Sequence, residues 1–381
     1  MHEGVLMVAP INRHRVAASQ IVASRVEAGT RRGVVWRRGL VRGLLMLGLL
    51  QAQTVLAADY IVLPVFGSQP DTGVQLGVAA IWESEPVADS YAVNLFLLGT
   101  ENRQAMGSVG LRIPGVVSGR RDYFEAEIHA SYFPNEFFGY RATFLEDGAG
   151  YDEETLRFRL AWSYPLDSRW RVGVGGIAAV SEVEFDDPQD PLLDDVAWTE
   201  GGRLFGLEGS LTRDSRDSMS WPTMGTWART EATVARDDDS ETFAWASQSA
   251  AVYYQIPADV ILALGGQVQA ATDNTPFLYM PTLTGSQWMR GLRDGQYRHQ
   301  TTVATQLEAR LPLSPRFAAT TFVHTGQVAS NPGRWWDEDW KSGGGVGLRY
   351  SISNERRQNI RVDMGWVDGR GGLVINFGEA F

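Results

Sequence analysis

Residues 288–313 read WMRGLRDGQYRHQTTVATQLEARLPL. The segment leaves a long polar loop holding Met289, Arg290, Gly291 and Leu292 and enters a run with two unlike faces. Thr301, Val303, Thr305, Leu307, Ala309 and Leu311 share one face, and Thr302, Ala304, Gln306, Glu308 and Arg310 share the other, as a two-residue period requires. One face suits lipid and the other suits water. The stretch therefore predicts a strand of a transmembrane β-barrel, preceded by a long loop.

The same alternation recurs. Phe124, Ala126, Ile128, Ala130 and Tyr132 oppose Glu125, Glu127, His129 and Ser131; Leu156, Phe158, Leu160, Trp162 and Tyr164 oppose Arg157, Arg159, Ala161 and Ser163. Ile360, Val362, Met364 and Trp366 oppose Arg361, Asp363 and Gly365. A soluble sandwich also alternates, but its apolar face is seldom so rich in aromatics at strand ends. Trp82, Trp162, Trp170, Trp227 and Trp366 sit where the interfacial girdles of an outer-membrane barrel are expected. No run of about 18 apolar residues offers a spanning helix.

Candidate strands lie near 60–68, 73–83, 91–99, 104–113, 122–133, 154–164, 169–184, 203–212, 225–236, 242–256, 258–271, 300–312, 316–326, 342–352, 358–367 and 371–381. Long connections at 137–152, 186–202, 273–299 and 330–340 alternate with tight turns near Asp167, Ser314 and Glu355. Long loops belong outside the cell and tight turns in the periplasm, so both chain ends fall in the periplasm and the strand number is even. The expectation is an all-β, sixteen-stranded antiparallel barrel over residues 59–381.

Residues 1–58 read differently. Arg31, Arg32, Arg37, Arg38 and Arg42 precede the apolar run Leu44–Leu50 and the small-residue site Val55-Leu56-Ala57, the pattern of a secretory signal peptide behind an N-terminal extension. This segment holds eight Arg and two Glu, which leaves the rest of a chain of net charge −11 strongly acidic. That balance argues against a nucleic-acid partner, which needs a basic face. The chain has no cysteine, so thiolate chemistry and disulfides are excluded.

Several short motifs follow in order. Arg213–Asp217 reads RDSRD and Trp221–Gly225 reads WPTMG; Arg290-Gly291-Leu292 follows, then Phe322–Gly326 (FVHTG), Gly345–Tyr350 (GVGLRY), Arg361-Val362-Asp363 and a terminal Phe381. Together they resemble the BamA/TamA family, the bacterial surface antigen family of outer-membrane barrels. The resemblance implies that Asp214, Arg216, Asp217, Pro222 and Gly225 form the family's D-x-R-D…P-x-x-G periplasmic turn. It also implies that Arg290, Gly291 and Leu292 correspond to an R-G-[FY] motif on the sixth outer loop, which folds back into the lumen. Two positions depart from the pattern: Leu292 replaces the aromatic, and His324 stands where F-x-D-x-G has the acid that helps hold the loop arginine. Glu308 and Asp363, both on lumen faces, are the replacement candidates for Arg290. The resemblance further implies that Phe381, facing lipid with Leu373, Ile375 and Phe377, belongs to the signal read by the barrel assembly machinery. Family members that assemble other proteins carry periplasmic POTRA domains, and the stretch between Ala57 and Gly73 has no room for one.

Catalytic and metal sites are not expected. His324 lacks a serine in an activating context, and His129 and His299 are isolated. The acidic groups Asp186, Asp187, Asp190, Asp194, Asp195 and Asp237–Asp239 show no defined ligand spacing and read as solvated outer loops that meet lipopolysaccharide. Gly343-Gly344-Gly345 lacks the Lys and helix of a phosphate loop and reads as space for loop packing. No cofactor is expected. The resemblance favours a non-enzymatic assembly or translocation factor with a client or periplasmic partner. Lumen Arg157, Arg159, Arg171, Arg349 and Arg361 beside Glu125, Glu127 and Glu308 keep a passive pore open as the alternative, and an enzyme stands third.

Overall fold

The computed structural model describes residues 59–83, 91–115, 122–337, 339–353 and 358–381. The segment read as a signal peptide, 1–58, lies outside the described residues, as does the side chain of Phe377. The first eight strands are β1 (Asp59–Gln69), β2 (Gly73–Glu83), β3 (Ala92–Thr100), β4 (Ala105–Pro114), β5 (Tyr123–Phe137), β6 (Ala149–Pro165), β7 (Trp170–Phe185) and β8 (Gly201–Asp214). The second eight are β9 (Gly225–Asp237), β10 (Thr242–Ile256), β11 (Val260–Ala271), β12 (Thr301–Pro312), β13 (Phe317–Ala329), β14 (Lys341–Ser353), β15 (Gln358–Val367) and β16 (Arg370–Phe377).

All sixteen close into one antiparallel barrel in which each strand pairs with its neighbours in sequence and β1 meets β16. Closure removes sheet edges and satisfies the backbone without water, which is what a strand-built membrane span requires. The side chains follow the period of two. On β12, Leu307 is 46% exposed on the outer surface, whereas Glu308 and Arg310 are fully buried on the lumen side. Phe205, Leu207, Val323 and Val346 are likewise exposed outward. The polar face is inside and the apolar face outside, the inverse of a soluble core.

Two sequence expectations need correction. Trp227 does not join an outer girdle: it shares the lumen face of β9 with Arg229 and Glu231, packs against the central lumen cluster and lies beneath the Arg216 guanidinium at 5.6 Å. Phe381 does not face lipid. β16 ends at Phe377, Gly378 takes φ +75°, and residues 378–381 turn into the lumen, where Phe381 is buried. Such a φ is open to glycine and strained for most side chains, so the turn needs this residue.

An even strand number leaves β1 and β16 starting and ending at the rim of short turns. The opposite rim carries the long loops 138–148, 186–200, 272–300 and 330–340. Over that rim Phe137, Tyr151, Phe185 and Phe277 pack edge-on or tilted at 5.2–6.5 Å, capping part of the lumen.

Candidate functional site

The loop between β11 and β12, residues 272–300, enters the lumen. Its tip is a compact turn: the Met289 amide donates to the Thr284 carbonyl at 2.9 Å, the Leu292 amide to Met289 at 3.0 Å, and the Gly285 amide to the Asp294 carboxylate. Trp288, Met289, Leu292 and Tyr297 are buried among Leu283, Ala304 and Val328. Leu292 thus fills an apolar site within the barrel.

Arg290 projects from this tip and is fully buried. Its Nε donates to Gln306 Oε1 at 2.8 Å and its Nη1 to Asp363 Oδ2 at 2.7 Å, while Nη2 donates to Glu308. The guanidinium lies 3.6 Å above the centre of the Phe322 ring. Both lumen acids therefore contact the loop arginine, from strands on either side of it. The cluster continues. Glu308 accepts from Arg310 Nε at 2.6 Å, Asp363 from Arg349 Nη1 at 2.6 Å, and Glu379 from Arg349 Nε at 2.8 Å. Arg361 Nη1 lies 3.5 Å from Asp363, and its Nη2 donates to the Ser286 carbonyl at 2.6 Å. Buried charge is tolerated here because every carboxylate meets more than one guanidinium.

Glycines make room for the clamp. Gly291 has φ +95°, and a Cβ there would strike the Gly365 backbone of β15. A Cβ on Gly372 of β16 would come within 2.6 Å of the Gly291 carbonyl. The loop backbone therefore lies directly on the last two strands. On β14, a Cβ at Gly345 would meet the Phe322 ring at 2.5 Å and one at Gly343 would meet His324 Nε2 at 2.8 Å. The glycine run is space for β13 side chains: Phe322 forms the floor under Arg290, and His324 stacks on Phe322 at 5.7 Å.

The tail completes the site. Phe381 stacks on Trp288 of the loop at 5.3 Å and lies near Tyr253 at 6.3 Å; its main-chain oxygen accepts from Arg310 Nη2 at 3.3 Å. Gln306, Glu379, Gly365 and Gly372 were not singled out by sequence. Only Gln306, on the lumen face beside Glu308, carried a local signal.

The turn at 215–224 stands apart, at the short-turn rim. Arg216 forks onto Asp214 at 3.0 and 2.7 Å, Asp217 accepts from the Thr223 and Met224 amides at 2.9 and 3.1 Å, and Gly225 takes φ +104°. Burial opposes ionisation of Asp217, but the Thr223 hydroxyl and the Met224 and Thr223 amides outweigh it and hold the carboxyl below its usual range. Pro222 is buried within this turn.

At the other rim, burial pushes the Asp294 carboxyl up to about 7; the neighbouring Asp71 of the β1–β2 turn adds to the shift and the Gly285 amide opposes it. A carboxyl held above its ordinary 3.8 binds its proton more tightly in the docked loop than in the released one. Docking is then strongest below about pH 4 and weakens as pH rises to about 7, with no further change above. Thermal stability measured across pH 4–7 should show that slope, and Asp294→Asn should flatten it. An unchanged slope in the variant would assign the dependence to another group.

A family model described as the Omp85 superfamily domain matches residues 115–377, more than half of the chain. The chain belongs to the Omp85 superfamily. Among solved structures, this Omp85 barrel is similar to BamA from Haemophilus ducreyi lacking POTRA domains 1-3, with TM-score 0.61 and 11% identity over 84% of this chain and 70% of that one. It is similar also to CdiB from Acinetobacter baumannii, with TM-score 0.56 and 14% identity over 85% of this chain and 60% of that one. At these identities the likeness is one of fold. A search of curated proteins gives no match. Membership of the superfamily and the closed barrel place the protein in the outer membrane.

Proposed function

We propose that this barrel is an assembly or translocation factor that admits client polypeptide at the seam between β1 and β16, with the 272–300 loop clamped in its lumen. The observation that carries this reading is the seam itself. β1 and β2 are joined through eleven register pairs, but among the described residues β1 and β16 share one, Ser68 with Ile375. A seam so lightly bonded opens at far lower cost than any other strand pair, and an open edge is a template for an incoming strand. Strand length points the same way. β1, β3 and β16 are 11, 9 and 8 residues long, against 15, 17 and 16 for β5, β6 and β7. A spanning strand needs roughly 9–11 residues, so the wall beside the seam only just spans a bilayer and at β16 falls short of it, whereas β5–β7 extend well beyond.

In this reading the long loops face outward, toward lipopolysaccharide, and the 215–224 turn faces the periplasm. The assembly machinery reads the terminal strand with Phe381 during biogenesis, before the tail folds inward. The loop, the tail and the arginine cluster occupy the lumen beside β12–β16, which favours a loop-closed barrel over a passive pore.

The natural chain has no cysteine, so one engineered pair can be oxidised without competition. Ser68 and Ile375 are direct partners, within reach of a disulfide. The barrel carrying Ser68→Cys and Ile375→Cys should speed the folding of an unfolded outer-membrane protein into liposomes when reduced, and lose that effect when oxidised. Equal rates in both states would sink the seam as the entry. No acceleration by the unmodified barrel would remove the assembly reading, and single-channel conductance would then test the pore.

A further inference from the structure

The lumen is filled unevenly. The loop tip and the tail press on β12–β16, while the wall from β6 to β11 borders an open chamber of about 460 Å³. Its roof is the loop base, Leu278–Thr282, held down where Arg298 donates to the Phe277 carbonyl at 2.6 Å. Toward the short-turn rim a second space of about 60 Å³ shares Arg159, Glu208, Glu231 and Thr233 with it. The chamber therefore leads from the short-turn end up to a closed roof.

Its charges are not equivalent. Arg159 forks onto Glu208, its Nε 2.6 and 3.1 Å from the two carboxylate oxygens, and Arg229 pairs with Glu231 at 2.7 Å. Arg157 also lines the chamber, yet among the described residues it has no carboxylate within ion-pair distance. Glu153, on the same face of β6, accepts instead from the Thr155 hydroxyl at 2.6 Å, and the cross-strand neighbour of Arg157 is His129. Glu153 is near enough to act on Arg157 through its charge but does not reach it, and a guanidinium in a walled space with no carboxylate in direct contact is met by water, or by an anion that brings its own charge. Above it the surface turns apolar: Leu278, Met280 and Trp245, the last stacked on Tyr279 at 5.0 Å. Ser247, Gln269 and Thr282 supply neutral hydrogen-bonding groups between the two.

We propose that this chamber is a binding site for a small organic carboxylate, its anionic group on Arg157 and its apolar body under Leu278, Met280 and Trp245. The volume falls in the range of small-molecule sites, roughly 300–1,000 Å³. The site is separate from the Arg290 clamp and from the seam, so it does not depend on the assembly reading.

Benzoate and its neutral isostere benzamide are the probes, titrated into the full purified barrel by calorimetry. Saturable binding of benzoate is expected, with benzamide about tenfold weaker or worse because it lacks the charge-assisted bond. Arg157→Gln should abolish the preference for benzoate while the barrel keeps its heat-modifiable gel shift. Ser247→Trp, which fills the chamber and leaves Arg157 in place, should abolish binding of both. The proposal is overturned if benzoate does not bind, if benzamide binds equally well, or if Arg157→Gln leaves benzoate affinity unchanged.

Discussion

Replacing Arg290 with alanine should release the loop tip from the lumen and shorten the half-life of the folded barrel at elevated temperature. The side chain holds Gln306, Asp363 and Glu308 at once, and all are buried. Its removal takes one of three guanidinium partners from each of two buried carboxylates, Glu308 keeping Arg310 and Arg349 and Asp363 keeping Arg349 and Arg361, so the cost stays within the roughly 3–5 kcal/mol of a broken buried pair. Unfolding of a membrane barrel is seldom reversible, so the change is best read as an inactivation rate. Trypsin supplies a local readout: Arg293, three residues along the tip, should become cleavable in the variant while the strands stay protected. Arg290→Lys should recover only part of the loss, since an ammonium cannot reproduce a planar fork aimed at three acceptors over the Phe322 ring. A variant with unchanged cleavage and unchanged heat resistance would show that the loop is held by its apolar contacts alone.

How much of this was legible beforehand depends on which physical rule set each feature. Alternation fixes a face, so the lumen position of Glu308 and Asp363 could be read directly; the strand number came from the loops, whose alternation of long and short requires an even count and so adds 60–68 to fifteen clearer strands. It does not fix depth along the barrel. That both acids reach Arg290 follows from register, which sets Glu308 opposite Phe322 and Asp363 opposite Gly347. Trp227 was legible and misassigned: it shares parity with Arg229 and Glu231, and a girdle residue would not. Phe381 failed for a different reason. Counting in twos assumes a continuous strand, and the φ of Gly378 breaks it; a glycine there is visible in sequence, but its backbone angle is not. Gly365 and Gly372 were beyond reach, because what demands them is the close passage of a loop some seventy residues distant in sequence.

Glu308→Gln should cost more than Arg290→Ala, although it changes only one charge. Glu308 is the carboxylate that Arg290, Arg310 and Arg349 share, so it balances the loop, the tail and β14 together. A glutamine keeps one acceptor oxygen and replaces the other with an amino group, which would point donors at guanidinium donors. The desolvation cost of three arginines then loses its main offset, beyond the roughly 3–5 kcal/mol of a single broken pair. Arg310 also holds the main-chain oxygen of Phe381, so the tail should loosen along with the loop. Two readouts separate these effects: trypsin cleavage at Arg293 reports the loop, and carboxypeptidase trimming of Glu379–Phe381 reports the tail. Both should appear in Glu308→Gln, whereas Arg290→Ala should expose mainly the loop. A second substitution, Arg310→Met, should restore part of the stability lost in Glu308→Gln by removing one stranded cation, the non-additivity expected of two residues in direct contact. If the two substitutions were instead additive, the Glu308–Arg310 contact would carry no coupling energy, and Glu308 would not be the group that couples the loop to the tail.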